Sequence, residues 1–222
     1  VICSLMGSDV LDNKYTKYLI TFFIKWFWKI IIVKSAEMQK VLKNGLIIPN
    51  GVDTDNFKPK LKKKSLVRTR FNNKVKNIIF VSTNPYSDVK NHILAEKAIA
   101  KANKKFSKDI HLHYLSNINF IDLPYYYCAA DLLLLTSKSE GSPNVIKEAM
   151  ACNCPIVSTD VGDVRKVISK TNGCYITSFE PEDVAEKIIL ALNNKIRTNG
   201  RTKMDTFSKK ATADKIINTY KS

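Results

Sequence analysis

A chain of 222 residues is long enough for one full domain and part of another, and too short for two complete large ones. Its 45% apolar and 25% charged residues, with only seven glycines and seven prolines, exclude a low-complexity or collagen-like chain and call for a buried core. The net charge of +16, carried mostly by lysines, forms a diffuse field that suits nucleic acid, an anionic bilayer or a phosphorylated small substrate alike, and by itself selects none of them.

Residues 1–5 read as a short buried strand that ends in a loop at Gly7-Ser8-Asp9. No basic-then-apolar leader precedes them, so no secretory signal is visible, and the start reads as a break inside a larger protein. Residues 12–28 read as a helix. The most apolar stretch, residues 18–33, is shorter than a membrane span and carries Lys25 and Lys29 inside it. Two readings remain: a helix lying on a bilayer, with the two lysines on one face among Trp26, Phe27 and Trp28, or a helix feeding a buried strand at 29–34. The Ile-Ile-Ile-Val run favours the second. Ser35 can cap a helix over 36–43, and residues 46–48 form a third strand broken by Pro49-Asn50-Gly51. The β-α-β-α-β order predicts a parallel sheet with crossover helices.

The Lys- and Arg-rich stretch 53–77 has little apolar periodicity and reads as a linker, with a domain boundary near Lys58. A second alternation follows. Strands are expected at 77–82, 109–115, 131–135, 155–158 and 174–177, and helices at 91–103, 123–130, 144–152, 164–169, 181–192 and 211–220. The expected organisation is therefore 1–58 as a partial Rossmann-like domain and hinge, 59–205 as a nearly complete doubly wound domain, and 206–222 as a C-terminal helix.

Cys3, Cys128, Cys152, Cys154 and Cys174 are an odd set with no C-x-x-C pair, which points to free packing thiols and a reducing cytosol. His111 and His113 share one face of a strand, but a pair without a third ligand is more often structural.

Ligands of doubly wound sheets bind beyond the carboxyl ends of the strands, so the loop after 131–135 carries the most information. There Gly141 permits close backbone approach, Ser142 is expected to cap the following helix, and Pro143 to occupy its first position. The free N–H groups of that helix start make a site for a phosphate or a sugar hydroxyl. Glu140 stands just before the helix and Glu148 about one and a half turns in, so one ligand meets both only if it is long. A nucleotide sugar has that length.

The segment from Ser137 to Gly162, with Glu140 and Glu148 in an E-x7-E arrangement and the run from Glu148 to Cys152 reading Glu-Ala-Met-Ala-Cys, resembles the donor-site motif of the family 4 retaining glycosyltransferases. A looser resemblance runs almost from Gly7 to the C-terminus. It implies a GT-B fold in which 1–58 belong to the acceptor side and 59–205 bind the nucleotide sugar. It further implies that Glu148 holds the ribose hydroxyls and that Glu140 meets the transferred sugar beside the amides of Gly141, Ser142, Pro143 and Asn144. Lys90-Asn91 stand where these enzymes carry a lysine for the diphosphate. The positive charge of Lys90 opposes the dipole of the helix it precedes, a conflict that a bound diphosphate relieves. Gly7, Ser8 and Asp9 match the acceptor-side loop.

Two departures are visible: Ser82-Thr83-Asn84-Pro85 supply no arginine ahead of Lys90, and Met6 replaces the histidine common before Gly7. Asp53-Thr54-Asp55 could pass for a metal-binding D-x-D, but it lies within a hinge-like motif, and the resemblance implies no essential metal and no cofactor beyond the donor itself.

The function implied is sugar transfer, with retention, from a nucleotide-diphosphate sugar to a hydroxyl of a glycan or lipid-linked acceptor in cell-surface polysaccharide synthesis. The enzyme is expected in the cytoplasm, at or near an anionic inner membrane face. A rival reading is a truncated nucleotide-sugar-binding remnant without turnover. Nucleic-acid binding is disfavoured by the lack of a reading motif and of an aromatic-rich basic stripe outside 18–33.

Overall fold

The computed structural model describes residues 1–11, 14–194 and 197–221. The first 48 residues build a small parallel sheet, ordered β1-β2-β3, from β1 (Ile2–Ser4), β2 (Ile30–Val33) and β3 (Leu46–Ile47). Between the strands run α1 (Gly7–Leu11), α2 (Lys14–Trp26) and α3 (Ala36–Leu42). Leu5, Val10, Ile20, Ile31, Val33 and Met38 form its core. Ser35 caps α3 as its residue type predicts, its hydroxyl accepting from the Met38 N–H.

Gly7-Ser8-Asp9, expected as a loop, instead open α1. The Asp9 carboxylate turns back to accept the Met6 N–H at 2.7 Å, and that reciprocal bond starts a helical turn where Gly-Ser-Asp suggests a turn or loop. The side chain of Ser8 lies outside the described residues, as do Asp12 and Asn13 at the start of the predicted 12–28 helix.

The second sheet has five parallel strands in the order β5-β4-β6-β7-β8: β4 (Lys76–Val81), β5 (Ile110–Leu115), β6 (Leu132–Leu135), β7 (Ile156–Thr159) and β8 (Cys174–Thr177). Its helices are α4 (Lys62–Thr69), α5 (His92–Lys105), α6 (Leu123–Ala129), α7 (Asn144–Ala151), α8 (Val164–Ile168) and α9 (Pro181–Asn193). The strands divide their side chains by a period of two. Ile79, Leu133, Leu135 and Ile156 join one core with Tyr127, Ile146 and Val164, whereas Ile78, Phe80, Leu132, Leu134 and Val157 join another with Ala95, Ala98 and Ile188. Both faces are covered, which is why β6 could be four leucines in a row.

The stretch 53–77 is not all linker. Helix α4 forms within it, although its lead is Lys-Lys-Lys, because Ser65 is fully buried and Arg68 reaches Asp122 at 2.6 Å. A helix that docks on one small polar residue leaves no apolar stripe to read.

The two sheets are tied through the hinge. Val52 bridges to Ser208, Phe57 is buried in the second core, and Arg201 donates to the carbonyls of Phe57 and Thr54 at 2.7 and 3.0 Å. A 3-10 segment (Gly200–Phe207) then leads back into α10 (Lys209–Lys221), whose Lys209 pairs with Asp53 at 3.0 Å.

Candidate active site

The strand order reverses between β4 and β6, since β5 lies on one side of β4 and the remaining chain continues on the other. The loops leaving β4 and β6 therefore diverge and leave a crevice at their carboxyl ends. The first sheet faces this crevice. Together they enclose a cleft of about 630 Å³ lined by Gly7, Lys34 and Asn50 from the first lobe and by Lys90, Glu140 and the 141–144 loop from the second.

Lys90 ends a short 3-10 turn (Asp88–Lys90) that leads into α5. Asn91 then takes a left-handed conformation (φ 52°), which asparagine tolerates better than most residues. Across the crevice, Thr136 donates its hydroxyl to the Lys90 and Asn91 carbonyls at 3.1 and 2.9 Å, and the Lys138 N–H bonds the Val89 carbonyl at 2.8 Å. These bonds fix the two loops to each other. In consequence the Lys90 ammonium meets Glu140 Oε1 at 2.5 Å, and the Ser137 hydroxyl donates to the same oxygen at 2.9 Å. Fifty residues apart in sequence, Lys90 and Glu140 are neighbours in the fold.

Three glycines make this closeness possible. A Cβ on Gly7 would stand 2.6 Å from the Gly141 nitrogen, and one on Gly162 (φ 57°) would stand 2.5 Å from the Gly141 carbonyl oxygen. The donor-side loop is thus sandwiched, backbone against backbone, between α1 and the 160–163 loop.

Ser142 does not cap α7. Pro143 is the capping residue, without a side-chain bond, and Asn144 is the first helical residue. The Ser142 hydroxyl is taken up elsewhere: it donates to Asp163 Oδ2 at 2.8 Å and accepts from Lys147 Nζ at 2.6 Å and from the Asn50 N–H at 3.1 Å. Lys147 is fully buried and pairs with Asp163 at 3.0 Å. Burial pushes its ammonium below the usual lysine range, against the pull of Asp163. Lys147 and Asp163 were not expected from the sequence, yet a signal exists. Lys147 lies three and four residues before the buried Met150 and Ala151, on the inner face of α7.

Glu148 lies farther along α7, half-buried, and accepts the Tyr127 hydroxyl at 2.7 Å. Desolvation raises its carboxyl above the ordinary range, and the Tyr127 bond and Lys147 only partly offset this. Tyr127 is wholly buried, and its own hydroxyl is pushed well up, so it stays a donor. Glu148 is not among the residues that line the 630 Å³ cleft; Glu140, Gly141, Ser142, Pro143, Asn144 and Lys90 are. Asn91 and Asp9 do not line it either: the Asn91 carbonyl accepts the Thr136 hydroxyl, and the Asp9 carboxylate accepts the Met6 N–H at the start of α1.

The remaining polar clusters have structural occupations. Asp53 Oδ1 accepts the Asp55 and Asn56 N–H groups, and Oδ2 the Lys209 ammonium. His113 bonds Asn77 at 2.9 Å and stacks on Phe71, with burial lowering its pKa. Cys128, Cys152 and Cys154 are buried free thiols. A bond from the Cys152 thiol brings Cys128 down to about 7, whereas burial raises Cys154 to about 11. Among the described residues, no three His, Cys, Asp or Glu side chains are grouped to hold a metal ion.

The two parallel sheets facing one cleft define a GT-B type α/β fold, and solved structures bear this out. Sucrose-phosphate synthase from Thermosynechococcus elongatus superposes with a TM-score of 0.83 at 15% identity, over 99% of this chain and 67% of that one. The Anabaena HepE protein, solved with UDP and glucose, gives 0.82 at 17% identity, over 100% and 71%. The chain belongs to the family of glycosyl transferases group 1, whose sequence model matches residues 73–194. A named but uncharacterized glycosyltransferase of Methanocaldococcus jannaschii is 31% identical over 113 residues, 48% of this chain and 31% of that protein. The chain thus spans about a third of that relative's length.

Proposed function

We propose that this chain carries the nucleotide-sugar site and part of the acceptor wall of a retaining family 4 glycosyltransferase. It moves a sugar from a nucleotide diphosphate to a hydroxyl of a glycan or lipid-linked acceptor in cell-surface polysaccharide synthesis. The observation that carries the reading is the meeting of Lys90 and Glu140 at the strand-order reversal, in front of the α7 N-terminus. That HepE was solved with UDP and glucose supports the same donor class.

In this reading Lys90 and the α7 N-terminus receive the charge that grows on the departing diphosphate. Glu140 is held against Lys90 without ligand and turns to the sugar hydroxyls when the diphosphate takes its place. Glu148, pre-oriented by Tyr127, accepts from the ribose. The diphosphate itself takes the acceptor proton, so the proposal assigns no protein base, metal or cofactor.

Glu148→Gln has two opposite effects. An ionised acceptor grips two hydroxyls more strongly than an amide does, so nucleoside-diphosphate affinity falls about tenfold by calorimetry. The folded protein meanwhile gains stability at neutral pH. A carboxyl whose folded pKa lies above its unfolded value favours folding at low pH and penalises it as pH rises through the carboxylate range, and glutamine lacks that penalty. Unchanged affinity in a folded variant sinks the ribose assignment. A thermal-shift screen with UDP-, GDP- and ADP-sugars tests the donor class, since a donor at a hundred times its Kd stabilises by about 2.7 kcal/mol. No shift with any of them removes the reading.

A peripheral position at an anionic cytoplasmic membrane face is supported by α2. It feeds the buried β2, yet leaves Tyr18, Leu19, Phe22 and Trp26 between 53% and 74% exposed beside Lys25. Among the described residues no helix is long and apolar enough to cross a membrane. The protein is expected to sediment with phosphatidylglycerol vesicles and not with phosphatidylcholine ones, and Phe22→Ser/Trp26→Ser to abolish this. Equal sedimentation of the double variant overturns the proposal.

A further inference from the structure

Lys34 follows β2 and extends into the cleft opposite Lys90 and Glu140. Only 6% of the residue is exposed. Among the described residues the other cation buried this far is Lys147, which pairs with Asp163, and the less buried Lys90 pairs with Glu140. Among the described residues Lys34 has neither an ion pair nor a side-chain hydrogen bond. Its neighbour Ser35 is committed to capping α3, and Asn50, which lines the same cleft, is committed to Ser142. The cleft therefore holds one cation more than its own carboxylate neutralises.

A buried ammonium without a counter-ion is a standing cost, and a protein keeps one at a ligand-lined surface when a ligand supplies the anion. Burial lowers the Lys34 pKa, the expected mark of a cation that lacks such a partner. Position then decides which ligand this is. The donor diphosphate, on the reading above, is served from the second lobe by Lys90 and the α7 N-terminus. Lys34 comes from the first lobe, the opposite wall. A lysine, a compact point charge on a long stem, suits a phosphate or carboxylate without demanding forked geometry.

We infer that Lys34 binds an anionic group of the acceptor, a phosphate or a carboxylate, next to the hydroxyl that receives the sugar. This rests on the reading of the cleft as the donor and acceptor site, and it goes beyond that reading by giving the acceptor a charge.

The test uses the whole chain with a nucleoside diphosphate at saturation, so that Lys90 and the α7 N-terminus are occupied. Inorganic phosphate, glycerol phosphate and acetate are then titrated by thermal shift against wild type, Lys34→Met and Lys34→Arg. Vesicles of phosphatidylglycerol are compared with soluble glycerol phosphate to separate a lipid headgroup from a free anion. Wild type is expected to gain stability with the anions, Lys34→Arg to keep most of the gain, and Lys34→Met to bind about tenfold more weakly. Without any anion, Lys34→Met should melt about 2–4 °C higher, because the uncompensated cation is gone. Equal anion protection of wild type and Lys34→Met overturns the inference. So does a loss of nucleoside-diphosphate affinity in Lys34→Met as large as that in Lys90→Met, which would make Lys34 a donor residue. If no nucleoside diphosphate binds at all while anion protection still depends on Lys34, the donor reading fails and the anion site stands.

Discussion

Asp163→Ala is expected to destabilise the fold by about 3–5 kcal/mol, since it strands a fully buried lysine. Lys147 Nζ has two hydrogen-bonding partners, the Asp163 carboxylate and the Ser142 hydroxyl, and only the first carries charge. Ser142 would also lose the acceptor for its own proton. The damage then travels, because Ser142 holds the hinge through both its hydroxyl and its carbonyl, the latter accepting the Asn50 amide at 3.0 Å. Loss of stability should therefore come with weaker closure of the cleft. The double change Lys147→Met/Asp163→Leu removes both charges and should recover most of the loss, as buried pairs replaced by apolar groups commonly do. Urea titrations of the wild type and the two variants decide the matter. A single-variant loss below about 1 kcal/mol would show that water reaches Lys147 and that the pair is not buried in solution.

Gly162→Ala is the second large effect. Its φ of 57° costs an alanine about 1–2 kcal/mol, and the new methyl would stand 2.5 Å from the Gly141 carbonyl oxygen and 2.8 Å from that of Glu140. Both obstacles are backbone, so the loop that carries Glu140 must move. Gly173→Ala separates the two costs: its φ is also positive, at 77°, but its nearest neighbour is the Thr198 methyl at 3.3 Å, far from the cleft. Gly162→Ala should therefore lose more stability than Gly173→Ala, by the cost of the backbone clash, and only Gly162→Ala should lose nucleoside-diphosphate affinity, by about tenfold or more. Equal affinity in the two would mean that the position of the 140–143 loop does not govern binding.

Much of this protein is legible in its chain. Parallel strands covered on both faces must be apolar throughout, so residues 132–135 and the Ile-Ile-Ile-Val run announce themselves, and the helices between them follow a local period. The 137–162 segment keeps Gly141, Pro143 and two glutamates at fixed spacing because one loop and one helix hold them all, and such short-range geometry is written in short-range sequence. Where competing local bonds intervened, the local reading failed: the Asp9 carboxylate wound Gly7-Ser8-Asp9 into a helix, and the Lys147–Asp163 pair took Ser142 away from its cap. Helix α4 stayed hidden because it docks through Ser65 and surface charges, with no apolar stripe to betray it. The contacts that make a site were decided only by the fold. Lys90 and Glu140, fifty residues apart, meet because the strand order reverses between β4 and β6; Gly7 reaches Gly141 because the hinge brings the sheets face to face; and Lys34 is a buried charge at the cleft only in the folded chain. Strand and helix follow from neighbours along the chain, whereas desolvation and pairing of charge depend on neighbours in space.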